Sequence, residues 1–212
     1  KNPMSSIQGY AELLLKKKGM TEQECDEHLK IILNNSKRAN GLLNELFELS
    51  QLDSPEFSLK LVKTDICEYL RQICGELVPQ LEHEGFEYEF NIPEDNVFVI
   101  LDTDRFNRII QNLANNAMRY NPAGTLVTVN LTVQNHQVII DFSDDGIGIP
   151  DHLMSNIFKP FVRADDSRNS KTGGSGLGLS IAKRIAEAHG GDLTLLPDKN
   201  KGSTFRITIP AI

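Results

Sequence analysis

No tryptophan occurs in this 212-residue chain, and cysteine occurs three times. No apolar run approaches the roughly 20 residues that a membrane helix needs, which excludes a helical bilayer span within the sequence. Basic charge is in deficit: 22 Lys and Arg stand against 29 Asp and Glu, a net -7. With a pI near 5.3 there is no basic field of the kind that broad nucleic-acid binding requires. Cys25, Cys67 and Cys74 are odd in number and lack the close spacing of metal ligands, so they read as reduced thiols of a cytoplasmic protein. An initiator Met and a signal peptide are also missing; the chain opens Lys1-Asn2-Pro3 and runs straight into a helical pattern, as a fragment does. What remains is ordinary globular composition, 40% hydrophobic and 24% charged. That is neither a disordered nor a disulfide-scaffold composition, and at roughly 150 residues per domain it supplies one or two domains.

The first fifty residues differ from the rest. Pro3 suits a first helical turn, and Ile7, Tyr10, Ala11, Leu14 and Leu15 follow at helical spacing. Lys18-Gly19-Met20 breaks that pattern, and Thr21 with Glu24 forms a capping box for a second helix. Along it Leu29, Ile32, Ser36, Ala39, Leu43, Leu46 and Ser50 trace a heptad seam. Two such helices make an antiparallel hairpin with an apolar stripe. Pairing with a second copy into a four-helix bundle would cover it, and packing on the chain's own C-terminal part is the alternative. The length of the second helix favours the dimer.

Leu52-Asp53-Ser54-Pro55 reads as a linker, dividing the chain into 1–53 and 54–212. Beyond it, Thr64-Asp65 caps a helix whose second half Gly75 and Pro79 weaken. Phe86 to Ile92 alternates as a strand, and 97–101 reads as a second, buried one. A helix runs from Thr103-Asp104 to about Tyr120, and a hairpin turns at Asn135-His136. A Gly-rich stretch, a helix from about Leu177 to His189, and strands over 192–196 and 203–209 complete the pattern. Three helices with at least five strands argue an α+β fold: a helical hairpin followed by a two-layer α/β sandwich. No β-α unit repeats at fixed period, which disfavours a Rossmann arrangement.

Three clusters carry chemistry. On the helix from Thr103, Asn112, Asn116 and Arg119 share one stripe at i, i+4 and i+7. Carboxamide oxygens are hard ligands suited to Mg²⁺, and Arg pairs with phosphate. An ordinary solvated helix face carrying Asn gives the same pattern. Asp144-Asp145-Gly146-Ile147-Gly148 directly follows a strand, where a fixed carboxylate can accept from an exocyclic amine, although Asp and Gly also serve any turn. Gly173-Gly174-Ser175-Gly176-Leu177-Gly178 leads into a helix, a ready anion site or merely a flexible loop. It lacks the Lys-Ser/Thr of a P-loop. The polar, aperiodic segment from Arg163 to Thr172 reads as a lid.

In this order the clusters resemble the nucleotide-binding domain of sensor histidine kinases. The Asn-rich helix is similar to that family's N box, Asp144-x-Gly146-x-Gly148 to its G1 box, and Gly176-Leu177-Gly178 to its G2 box. Ile157-Phe158-Lys159-Pro160-Phe161 looks like the F box, and Gly202-Ser203-Thr204-Phe205 like the last glycine box. The hairpin resembles the dimerisation and histidine-phosphotransfer domain, so the likeness covers essentially the whole chain. It implies the Bergerat ATP-binding sandwich, with ATP and Mg²⁺ bound.

Carried over to this chain, the resemblance implies Asn116 as the main Mg²⁺ ligand with Asn112 assisting, Arg119 on the triphosphate and Tyr120 stacked on adenine. Asp144 would accept from the adenine amine, Gly146 and Gly148 would shape that pocket, and Gly174, Gly176, Leu177 and Gly178 would wrap the phosphates, with Thr204 nearby. Arg163 or Arg168 would reach the γ-phosphate; Phe158 and Phe161 are lid hinges and packing. The fold's ATPases resemble one another in carrying Glu four residues before the metal Asn. Here Asn112 stands there, and a carboxamide cannot act as a general base, so histidine phosphorylation is favoured over an ATPase. A nucleotide-binding pseudokinase scaffold is the non-enzymatic alternative.

The resemblance also implies a homodimer, a response-regulator receiver domain as partner, and a cytoplasmic portion of an inner-membrane-anchored bacterial sensor kinase whose membrane segments lie upstream. None of the five histidines suits the acceptor role. His28 is expected on a polar helix face, His83, His136 and His152 near turns, and His189 at a helix end where the dipole favours a cation. Lys1-Asn2-Pro3 looks like the tail of the family's H box, which puts the acceptor His three residues before Lys1. Asn2 would then orient water for regulator dephosphorylation. The 212 residues alone are expected to bind ATP and not to phosphorylate themselves.

Overall fold

The computed structural model describes residues 2–16, 20–54, 56–163, 174–197 and 202–212. Contacts divide them into two compact units: a helical one through Glu48, to which Gly174 and Ser175 also belong, and one that holds 49–163 and 176–212.

The helical unit is a hairpin of α1 (Pro3–Lys16) and α2 (Glu22–Leu52), whose last turn from Leu49 counts with the other unit. Pro3 opens α1, where its missing N–H costs nothing, and Asn2 Oδ1 accepts the Met4 N–H at 3.0 Å. The capping box closes as the sequence indicates. The Thr21 N–H donates to Glu24 Oε2 (2.8 Å) and the Glu24 N–H to Thr21 Oγ1 (3.2 Å). Those bonds hold the Glu24 carboxyl below its ordinary range. No described residue of either helix is buried. The heptad seam divides: Ile32, Ser36 and Ala39 are half-buried, while Leu29, Leu43 and Leu46 stay exposed, with Leu33 and Phe47. His28 departs from expectation. It is half-buried, its ring centroid 5.0 Å from that of Tyr10, because the hairpin turns that flank of α2 inward.

In the second unit, β1 (Val62–Asp65) leads into α3 (Ile66–His83), followed by β2 (Glu87–Asn91), β3 (Phe98–Leu101) and α4 (Thr103–Tyr120). Then come β4 (Leu126–Gln134), β5 (Gln137–Asp144), the short α5 (Asp151–Met154), α6 (Gly178–Ala188), β6 (Asp192–Leu196) and β7 (Ser203–Pro210). Five strands form one sheet in the order β2-β4-β5-β7-β6, with only β2 and β4 parallel. Alternate residues of the strands (Val127, Val129 and Leu131; Val138, Ile140 and Phe142; Phe205, Ile207 and Ile209) join a single core with the apolar faces of α3, α4 and α6. The other sheet face is polar: Arg206 grips Asp141, its neighbour in register, through two 2.7 Å bonds. This is a two-layer sandwich.

Residues 135 and 136 have φ of 50° and 58°, the mirror-image two-residue turn that matches the twist of the flanking strands. α3 starts where Asp65 Oδ1 accepts the Cys67 N–H (3.1 Å) and continues through Gly75 and Pro79 to His83. Gly75 lies four residues before Pro79, the position whose carbonyl a helical proline crowds, and its flank is open. The stretch 97–101 is not a buried strand: Val99 and Leu101 are buried, but Phe98 and Ile100 are 37% and 42% exposed. The cause is its partner. β3 pairs antiparallel with β1 in a separate two-stranded sheet, so only one face meets the core. β1, four residues with Lys, Thr and Asp among them, gives too weak a pattern to be read from sequence.

Candidate functional site

The candidate residues hang on α4, and both ends of that helix are fixed. At its start Asp102 is the N-cap: Oδ1 accepts the Arg105 N–H (3.1 Å) and Oδ2 the Lys60 N–H (2.9 Å). Burial works to raise the Asp102 carboxyl, but those two donors outweigh it, with help from the Arg105 charge, and hold it below the usual range. The Asp102 backbone N–H donates to His189 Nε2 (3.0 Å), so the Nδ1 of that ring is the donor to the Ile185 carbonyl (2.8 Å). The helix-end cation expected at His189 is therefore not what stands there. The ring is a buried clasp between the end of α6 and the start of α4.

Along α4, Phe106, Ile109, Ile110, Leu113, Ala114 and Ala117 are buried, which turns Asn112 and Asn116 to the half-buried margin and leaves Arg119 exposed. Tyr120, half-buried, ends the helix. Asn112 Nδ2 is buried without a hydrogen-bond partner. Its Oδ1 lies 3.2 Å from where a side chain on Gly178 would begin, so α6 starts directly against it. A carboxamide left open in this way fits a ligand's oxygens. Among the described residues no group of three or more His, Cys, Asp and Glu is arranged for a metal, so a divalent cation here would rest on carboxamides, phosphate oxygens and water.

Asp144 closes β5 on the core side of the sheet. Its Oδ1 accepts the Gly146 N–H (3.1 Å) and its Oδ2 the Ser203 hydroxyl. Thr204, the hydroxyl expected in the site, lies on the opposite sheet face and donates to Ser143 Oγ (3.0 Å). One residue of register separates the two faces, and Ser203 is the hydroxyl beside Asp144. Gly148 has φ +73°, a backbone that side-chain-bearing residues rarely adopt. The Gly146 requirement is different: a Cβ there would stand 1.9 Å from Asn121 Oδ1. Asn121, not read as functional from sequence, also accepts the Ile147 N–H at 2.9 Å.

The phosphate-side residues are brought together only in part. Gly176 accepts the Phe161 N–H (2.9 Å), Gly178 opens α6, and Leu177 is 1% exposed, so its side chain belongs to the core and only its backbone can meet a ligand. Gly174 groups with the helical unit. Arg163 has a buried Nε without a partner. Arg168 and the rest of the expected lid lie outside the described residues, as do Lys1, Lys18 and Gly19. A hollow of about 460 Å³ lined by 122–125 and 145–147 shares Gly146 with the site but includes none of Asn112, Asn116, Tyr120 or Asp144.

With this geometry in view, residues 101–212 match the profile of the histidine kinase-, DNA gyrase B-, and HSP90-like ATPases, and residues 1–55 that of the His Kinase A (phospho-acceptor) domain. Sensor histidine kinase WalK of Bacillus subtilis (strain 168) is 30% identical over 212 residues, 99% of this chain and 34% of that protein. Sensor protein VanS of Enterococcus faecium is 32% identical over 212 residues, 100% of this chain and 54% of that protein. The chain thus spans about a third to a half of these two relatives. Among solved structures, the Acinetobacter baumannii histidine kinase AdeS superposes with a TM-score of 0.77 at 22% identity, over 98% of this chain and 94% of that one. Histidine kinase ThkA in complex with response regulator protein TrrA gives 0.76 at 24%, over 100% and 58%. These likenesses show the fold: a helical hairpin followed by a Bergerat-type sandwich.

Proposed function

Because the chain belongs to the histidine kinase-, DNA gyrase B-, and HSP90-like ATPase family, joined to a phospho-acceptor hairpin as in sensor histidine kinases, we propose that it binds ATP with Mg²⁺ and phosphorylates a histidine. The observation that carries this reading is the Asp144 carboxylate, fixed by Ser203 and Gly146. Each carboxylate oxygen has two acceptor sites, so one bond to each leaves capacity for an exocyclic amine. That chemistry suits adenine and rejects guanine, which presents a carbonyl at the same position. Tyr120 offers a ring to stack on the base, and Arg119 a cation for the triphosphate.

Bound Mg²⁺ would neutralise phosphate charge; the protein's share is two carboxamide oxygens, from Asn116 with Asn112 assisting. The amides of Gly176, Leu177 and Gly178, at the N-terminus of α6, face the phosphates in this reading, with Arg163 reaching the outer ones. No Glu stands four residues before Asn116. Asn112 occupies that place and cannot take a proton from water, so ATP is left for a better nucleophile. A neutral imidazole is one. The acceptor in this proposal is the His of the H box whose tail is Lys1-Asn2-Pro3, in a hairpin that dimerises through its exposed leucines. From there the phosphoryl group passes to an Asp of a response-regulator receiver domain, in a kinase anchored to the inner membrane by other segments. Among the described residues, no helix is long and apolar enough to cross a membrane.

The test is to incubate the whole protein with γ-labelled ATP. An acid-labile, alkali-stable label on the whole protein is expected, and none on the 212 residues alone. Bound ATP without label would leave a scaffold, and phosphate release outrunning labelling would leave an ATPase. Asn2, which caps α1, is proposed to orient water for regulator dephosphorylation. Its replacement by Ala should lower phosphatase activity more than autophosphorylation, and equal losses would refute that role.

A further inference from the structure

Two glycines of the Asp144–Gly148 loop are glycines for different reasons. Gly148 needs its positive φ. Gly146 has no such φ; its missing side chain is replaced by the carboxamide of Asn121. A Cβ at 146 would meet Asn121 Oδ1 at 1.9 Å, Cγ at 2.2 Å and Nδ2 at 2.8 Å. The same Oδ1 accepts the Ile147 N–H at 2.9 Å, and the neighbouring Gly146 N–H holds Asp144 Oδ1 at 3.1 Å. Asn121 is itself fixed. It is the C-cap of α4, in extended backbone, with its N–H on the Ala117 carbonyl at 3.2 Å. An unbroken path therefore runs from the end of the helix that bears Asn112 and Asn116, through the Asn121 amide, to the loop that aims the Asp144 carboxylate.

We propose that Asn121 is a positioning residue of the base pocket, setting the aim of Asp144 through Gly146 and Ile147 and thereby the preference for an adenine base. The proposal rests on the ATP-binding reading above. Asn121 touches no ligand in this role; it places a group that does. Its removal leaves the loop hydrogen bond to water and the carboxylate free to wander, so the loss falls on base recognition and not on the phosphates.

The test titrates ATP, GTP and inorganic triphosphate against the 212-residue chain and four variants of it. Asn121→Ala should weaken ATP binding about three- to tenfold, the worth of one ordinary hydrogen bond. Triphosphate affinity should stay within twofold, so that the ATP-over-GTP ratio shrinks. Asn121→Asp, which keeps an acceptor for the Ile147 N–H, should hold the ATP-over-GTP ratio near wild type. Gly146→Ala alone should lose most ATP binding by clashing with the amide, and adding Asn121→Gly should recover part of it because the clash has gone. A circular-dichroism melt of each variant separates misfolding from misplacement. Unchanged ATP-over-GTP preference in Asn121→Ala, or a Gly146→Ala defect that is identical with and without Asn121, would overturn the proposal. Wild-type chain that binds no ATP would instead overturn the underlying function.

Discussion

Replacing His189 with Ala should destabilise the second unit by about 2–4 kcal/mol while leaving nucleotide affinity unchanged. The imidazole is 8% exposed and makes two hydrogen bonds, accepting from the Asp102 N–H at 3.0 Å and donating to the Ile185 carbonyl at 2.8 Å. Alanine removes both and leaves a backbone donor and acceptor short of partners in a dry place, at about 1–3 kcal/mol for each group left wholly unpaired. The Ile185 carbonyl keeps a helical partner in the His189 N–H (3.2 Å), so the Asp102 N–H carries most of the loss. The ring also stands edge-on to Phe106, centroids 6.0 Å apart, and its removal adds a cavity term. In a domain this size, 2–4 kcal/mol lowers the melting temperature by roughly 4–16 °C. Urea unfolding followed by circular dichroism, with ATP titration of the folded variant, measures both halves of the claim. A midpoint shift worth less than about 0.5 kcal/mol, the range of a neutral surface change, would refute the clasp. A large loss of ATP affinity in a folded variant would mean that His189 serves the site directly.

Asp102 predicts an acid limb. Its folded carboxyl lies below its unfolded value, so its stabilisation is present above the unfolded pKa of about 3.9 and is lost as pH falls through the folded one. Asp102→Asn should be less stable at neutral pH and show a flatter decline below about pH 4, measured by thermal melts across pH. Burial and the nearby Asp65 push the Cys67 thiol up, and burial alone pushes Cys74 up to about 12, so an aromatic disulfide reagent should reach half-buried Cys25 in the native chain and the other two only on unfolding. Asn116→Ala should lower Mg²⁺-dependent ATP binding at least tenfold and leave Mg²⁺-independent adenosine binding near wild type; equal losses for both would remove the metal role.

The elements legible in the sequence were those whose signal is local. The capping box of Thr21 and Glu24, the apolar stripe of α4, and the Asn135-His136 turn each depend on a few consecutive residues, and each stands as read. What escaped depends on partners distant in the chain. β1 exists because β3 lies beside it, and β3 is half-exposed because β1 is its only long partner among the described residues. His189 looked like a helix-end cation because the Asp102 N–H, 87 residues away, is invisible to periodicity. His28 looked solvated until α1 folded Tyr10 against it.

The site divides in the same way. Asn112, Asn116 and Asp144 are singled out as candidates by residue type and spacing taken together with the family resemblance, whereas Ser203 and Asn121 are not. Ser203 differs from Thr204 only in parity, and parity has meaning once β7 is registered against β5, with Asp144 opposite Ser203. Asn121 follows the helix that bears the Asn residues and reads as one more polar turn residue before Pro122. Its significance appears only where its amide fills the space that a side chain on Gly146 would need. A glycine motif therefore states that something lies close without saying what. In this chain a carboxamide 25 residues upstream is that something. It makes the end of α4 and the Asp144 loop one mechanical piece, so that the metal side and the base side of the proposed ATP site are set by the same helix.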